Sequence, residues 1–191
     1  MVLEREPYVP GPASGAQIQK DGEKWTLVLT RELRHSREKV WQALTDPEHL
    51  REWAPFDADG NLGIAGATVK LTTVGAPALR VTETTVTRAD APEALEYKWG
   101  GFHMRWELEA TAGGTRLTLW INIGQRFISM GAAGWHICFD VLERMLGGTP
   151  IGRIAGPAAM TFNGWQRLNA EYARQFGVEP PDWPPKAAQG A

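Results

Sequence analysis

At 191 residues, with 43% hydrophobic and 22% charged side chains, the chain can bury one sizeable core and suits a single domain with loose ends. A formal net charge of −2 gives no electrostatic reason to bind nucleic acid or an anionic membrane surface. The single cysteine, Cys138, excludes an internal disulfide; no apolar run reaches the roughly 18 residues of a spanning helix, and the N-terminus lacks a signal-peptide pattern, so a cytoplasmic location is expected.

Residues 1–21 carry Pro7, Pro10, Gly11, Pro12 and Gly15 without apolar periodicity, which predicts a flexible N-terminal arm. From Lys24 to Arg34 the pattern has period two, with Trp25, Leu27, Leu29, Arg31 and Leu33 on one face. That is a strand with one core side, on which Arg31 is the odd member. Ser36 is a suitable N-cap for a helix from Arg37 to Leu44, and Asp46-Pro47 opens a second from Pro47 to Trp53. Both are too short to stand alone and must dock. Residues 54–65 read as loop. Strands are then expected at Thr68–Val74, Ala78–Arg88, Leu95–Trp99, Phe102–Thr111 and Thr115–Ile123, separated by Gly- and Pro-rich turns. Without helix-length spacers between them, they predict an antiparallel, strongly curled sheet.

From Gly134 to Gly147 the period changes to that of a helix. Trp135, Cys138, Phe139, Val141, Leu142, Met145 and Leu146 share one wide arc, while His136, Asp140, Glu143 and Arg144 lie opposite. The arc is wide enough to lie across a sheet. A Pro/Gly linker over 149–157 leads to a last helix from about Ala158 to Phe176, with Phe162, Trp165, Leu168, Tyr172 and Phe176 at helical spacing. The domain is thus expected over 22–177, and residues 178–191 as a Pro-rich disordered tail.

The order of strand, two short helices, antiparallel strands and long helix resembles the helix-grip arrangement of the START-like superfamily. The run Val40-Trp41-Gln42-Ala43-Leu44-Thr45-Asp46-Pro47-Glu48-His49-Leu50-Arg51-Glu52-Trp53 is similar to the "VWxALTDPexLxxW" signature of the branch named after the activator of Hsp90 ATPase. Gly134-Trp135-His136 with Asp140 and Leu142 resembles a helix of its bacterial members, and Trp165, Leu168 and Tyr172 their closing helix. The likeness covers roughly 23–177. It implies an α+β fold in which a curved antiparallel sheet wraps a long C-terminal helix over a cavity, and a binding role without a particular chemistry.

Alternation places Arg31 on the core side, and also Glu83, which shares a face with Leu79 and Val81. Two inward charges of opposite sign invite pairing, or anchor a ligand inside an apolar cavity. Nine tryptophans supply flat walls as well as core mass. Arg31, Trp53, Phe56, Glu83, Trp99, Trp106, Cys138 and Leu142 are the expected ligand-binding residues, with Phe127, Ile128 and Met130 at the mouth. His103 is expected to point outward at a turn, and His136 with Asp140 to form a solvated i,i+4 pair. The four histidines show no metal-ligand spacing, and Ser14, Ser36 and Ser129, the only serines, sit in no nucleophile context. No cofactor, metal or catalytic residue is therefore assigned.

A small hydrophobic molecule, lipid-like or polycyclic aromatic, is the expected partner. Two other classes stay open: a co-chaperone-like protein–protein adaptor, marked by an apolar patch around Trp25, Trp120 or Trp183, and a polyketide cyclase or hydrolase using Arg31, Glu83 or His103. A homodimer paired through the first strand and its Val28 is a further option.

Overall fold

A computed structural model describes residues 8–76 and 80–181. Among these residues nine strands, β1 (Ala16–Asp21), β2 (Lys24–Leu33), β3 (Phe56–Ala58), β4 (Thr68–Thr73), β5 (Arg80–Thr85), β6 (Arg88–Asp90), β7 (Ala94–Trp99), β8 (Phe102–Thr111) and β9 (Gly114–Asn122), combine with five α-helices. These are α1 (Arg37–Thr45), α2 (Pro47–Trp53), α3 (Ile128–Leu146), α4 (Pro157–Met160) and α5 (Asn163–Phe176). The larger sheet runs β1-β2-β9-β8-β7-β6 and the smaller β3-β4-β5. Every described pairing is antiparallel. The two sheets meet where Lys98 N of β7 donates to Thr84 Oγ1 of β5 at 3.1 Å.

The concave face carries the expected alternation. Leu27, Leu29 and Leu33 from β2, Met104, Trp106 and Leu108 from β8, and Leu117, Leu119 and Ile121 from β9 are all buried. On them lies α3, whose Ile137, Phe139, Val141 and Leu142 are buried as well. The short helices close one end. Ser36 Oγ accepts from Lys39 N at 3.3 Å and Asp46 Oδ1 from Glu48 N at 2.9 Å, the side-chain caps their sequences call for. This is the α+β helix-grip fold. Among the described residues no helix is long and apolar enough to cross a membrane.

Several boundaries differ from expectation. Residues 16–21 are not part of a loose arm: they form β1, paired with β2 from Ala16↔Leu29 to Asp21↔Lys24. Preceding residues dock on α5, where Arg167 Nη2 donates to Pro10 O at 2.5 Å and Ala13 N donates to Glu171 Oε2 at 2.9 Å. Prolines and glycines here permit an extended strap held by tertiary hydrogen bonds, which leaves no periodicity to read. It also follows that β2 is an interior strand between β1 and β9, so Val28 faces no open edge. The loop over 54–65 contains β3, and the last helix is broken at Thr161 and Phe162 into α4 and α5. Residues 1–7 of the expected arm, Leu79, Trp183 and most of the expected tail lie outside the described residues.

Helix α3 starts six residues earlier than expected, because residues 128–133, Gly131 among them, are helical, and Gly134 falls in its interior rather than at its start. Two interior glycines cost a helix about 1 kcal/mol each relative to alanine. At Gly131 a Cβ would fall 2.4 Å from Ile123 Cδ1, so the end of that side chain would have to move to admit one. At Gly134 a Cβ would meet nothing within 4 Å. The protein's own packing does not require that glycine.

Candidate functional site

Gly134 faces an open cavity of about 360 Å³. Its floor is the concave sheet at Trp99, Ile121 and Ile123, and its roof is α3 at Met130, Gly131, Trp135 and Cys138. The third wall is the connection from α3 to α5, through Ile154, Pro157 and Met160, with Trp165 behind it. Thr73, Val74 and Arg80 form the lip on the β4–β5 side. The volume equals that of about a dozen waters at roughly 30 Å³ each, near the lower end of ligand pockets.

The connection is held to the sheet at two points. Gly75 and Gly156 approach back to back, both with positive φ, and a Cβ on Gly156 would strike Val74 O at 2.6 Å. Three residues earlier, Arg153 Nη1 binds Asp57 Oδ1 at 2.6 Å. Trp99 is fixed by its indole N–H donating to Thr73 Oγ1 at 3.1 Å, so the cavity's flat wall is pre-oriented. The mouth carries exposed apolar surface, with Phe127 51% and Phe102 38% accessible.

Among the residues expected at the site, Trp99 and Cys138 line this cavity. Burial pushes the Cys138 thiol up to about 12, so it stays protonated and serves as a small apolar wall rather than a nucleophile. Trp53, Phe56, Trp106 and Leu142 are instead packed core, each at most 1% exposed. The reason is ring-on-ring contact: Trp53 meets Trp106 at 6.3 Å, Phe56 meets Tyr97 at 6.2 Å, and Trp53 Nε1 is tied to Ala43 O at 2.9 Å. The mouth residues divide likewise, since Phe127 and Met130 line the cavity while Ile128 is buried in the core.

Glu83 is exposed, not inward. Cross-strand register fixes this: Phe56 faces Thr73 and Thr73 faces Arg80, so Phe56, Thr73 and Arg80 share the concave side. Arg80, Thr82 and Thr84 therefore point in, and Val81 and Glu83 point out. The inward charge of this strand is Arg80. His103 points outward as expected, half-exposed, with Nε2 3.5 Å from Glu96 Oε2.

Arg31 is on the core side of β2 but does not line the cavity. Its Nη1 binds Asp140 Oδ1 at 2.6 Å and Glu143 Oε2 at 3.3 Å, and the Tyr8 hydroxyl donates to the other Asp140 oxygen. His136 and Asp140 are not a solvated pair. Helix α5 and the N-terminal strap cover them, leaving His136 buried with Nδ1 2.7 Å from the Tyr172 hydroxyl. That hydroxyl donates to Ser14 O at 2.9 Å. The polar face of α3 is thus an internal network clamping strap to helix.

Burial holds the His136 imidazole below its ordinary pKa, against the opposing pull of Asp140. A histidine lowered on folding binds fewer protons folded than unfolded, so its stabilisation is complete above about 6.5, the unfolded value, and declines as pH falls below it. Urea midpoints are expected to fall between about pH 7 and 5, and His136→Gln to flatten that slope. An unchanged slope in the variant would assign the acid sensitivity elsewhere.

The expected adaptor patch is not bare. Lys20 Nζ lies 4.3 Å from the Trp25 ring centre and Arg105 Cζ 4.0 Å from that of Trp120, each covering the indole with a cation.

Residues absent from the expected set but lining the cavity include Trp135, Gly131, Gly134, Arg80 and the 154–160 connection. The paired glycines in an apolar helix were the available signal. Nothing local marks a proline-rich connection as a wall.

None of the curated proteins matches this chain. Solved structures share the fold. A conserved protein of unknown function from Enterococcus faecalis aligns with a TM-score of 0.61 at 16% identity, over 86% of this chain and 92% of its own. CalU16 from Micromonospora echinospora aligns at 0.59 and 19%, over 84% and 93%. An AHSA1-like protein from Aeromonas hydrophila aligns at 0.54 and 18%, over 66% of this chain and 94% of its own. Residues 34–147, from the end of β2 through α3, match the family described as Activator of Hsp90 ATPase homolog 1-like protein. With the sequence match and the helix-grip architecture in agreement, the chain belongs to that family.

Proposed function

We propose that this protein binds a small, largely apolar molecule, planar or aliphatic, in the cavity between the sheet and α3. The observation that carries this reading is Gly134. A glycine inside a helix is disfavoured, no neighbour of this one needs the space, and the space it leaves opens into the cavity. Trp99 and Trp135, with ring centres 6.1 Å apart at 87°, offer a flat wall and an edge to an aromatic or aliphatic guest.

The test fills the cavity without opening the core. Gly134→Ala is expected to raise stability by about 0.5–1 kcal/mol, since it removes the helix penalty and meets no atom. Gly134→Trp is expected to keep the fold and occupy the space. With 2-naphthamide, an uncharged aromatic probe, calorimetry and thermal shift should show binding to the native chain and at least tenfold weaker binding to Gly134→Trp. Equal binding to both proteins, or no binding to either, overturns the proposal.

A further inference from the structure

We propose, resting on the reading above, that the guest is an amphipathic carboxylic acid bound in its ionised form, with its carboxylate at Arg80 and its apolar body against Trp99 and Trp135. Arg80 is the one charged side chain among the cavity's lining residues. Register with Thr73 and Phe56 turns it to the concave side, and its place at the start of β5 sets it at the lip rather than in the depth. The remaining polar groups nearby are committed. Thr73 Oγ1 accepts from Trp99 Nε1 at 3.1 Å, and Arg153, next to Ile154 in the wall, is held by Asp57 at 2.6 Å. Among the described residues Arg80 forms no ion pair and no side-chain hydrogen bond, so its guanidinium donors are available to a ligand.

The geometry suits an acid better than either a hydrocarbon or a polyanion. A hydrocarbon would leave Arg80 idle beside it. A phosphate or dicarboxylate would bring more charge than one arginine offsets, next to walls that are otherwise apolar. A single carboxylate can take two parallel N–H bonds from the guanidinium at the lip while its body of about a dozen atoms fills the cavity.

The experiment compares 2-naphthoate with 2-naphthamide, which share a body and differ in charge, by calorimetry on the full chain. Naphthoate is expected to bind about five- to tenfold more tightly, as suits a partly solvated ion pair, and added salt should erode that preference while leaving amide binding unchanged. Arg80→Gln should bring the naphthoate and naphthamide affinities together, and Arg80→Glu should reverse their order. An unchanged melting temperature in both variants, measured without ligand, shows that the fold survives the substitution. Equal affinities in the native chain, or a preference that persists in Arg80→Gln, overturns the carboxylate assignment and leaves the apolar-binding reading standing. If neither probe binds the native chain, both fall together.

Discussion

Trp135→Ala is expected to destabilise the fold by about 3–5 kcal/mol, the range for removing a buried tryptophan from a packed core. At about 2–4 °C per kcal/mol for a domain of this size, the melting temperature should fall by roughly 6–20 °C. The size of the effect follows from what the indole touches. Its ring centre is 6.5 Å from Trp53, 6.1 Å from Trp99, 5.7 Å from Trp106 and 6.1 Å from Phe139, so one side chain joins α2, α3, β7 and β8. No single neighbour can swing into the void without leaving another. Trp135→Phe keeps a ring in the cluster and should cost less than the alanine variant. Chemical denaturation of the three proteins gives the comparison; a loss below about 1 kcal/mol for Trp135→Ala would show that the cluster relaxes freely.

The second large effect is expected at Asp140. Its carboxylate takes Arg31 on one oxygen and the Tyr8 hydroxyl on the other, and Asp140→Ala leaves both without it. Breaking a fully buried ion pair costs about 3–5 kcal/mol. With Arg31 and Asp140 still 21% and 17% accessible, solvent screening reduces this to about 2–3 kcal/mol. Removing both charges together, as in Arg31→Met with Asp140→Ala, should recover much of the loss, because an Arg31 left half-buried with only the Glu143 carboxylate at 3.3 Å, rather than the missing pair, carries the cost. Urea unfolding of the two single variants and the double variant measures the coupling directly. Additive losses would mean that the two residues stabilise the fold separately.

Much of the fold was legible because its elements obey one-residue rules. Period-two alternation located β2, β8 and β9 and the burial of Met104, Trp106 and Leu108. Side-chain caps at Ser36 and Asp46 located α1 and α2. The failures arose where a second layer decides the outcome. His136 and Asp140 lie on the polar side of α3 by helical geometry, and only the docking of α5 and the strap from Tyr8 to Ser14 turns that side into an interior. A pairing partner for Arg31 was anticipated, but it came from α3 and not from Glu83. The phase of β5 is not set by its own residues, because Arg80, Thr82 and Thr84 are as polar as Glu83, so alternation gives two equal answers and only register with Phe56 chooses between them. Large aromatics were expected to line a space; Trp53, Phe56 and Trp106 fill one another's instead, since rings of that size satisfy each other before any cavity remains.

The α3–α5 connection gives the cavity one compliant side. Residues 148–156 carry neither strand nor helix; Arg153 with Asp57 and the Gly75–Gly156 approach tie them to the sheet, and Ile151 and Ile154 pack against the core. Local opening there breaks few bonds, whereas moving the floor at Trp99 would disrupt a sheet. Under the proposed binding function, selection is expected to be strict for the shape turned toward the tryptophans and lenient for bulk on the opposite flank, so a series of compounds sharing one flat face should be accepted across a range of sizes.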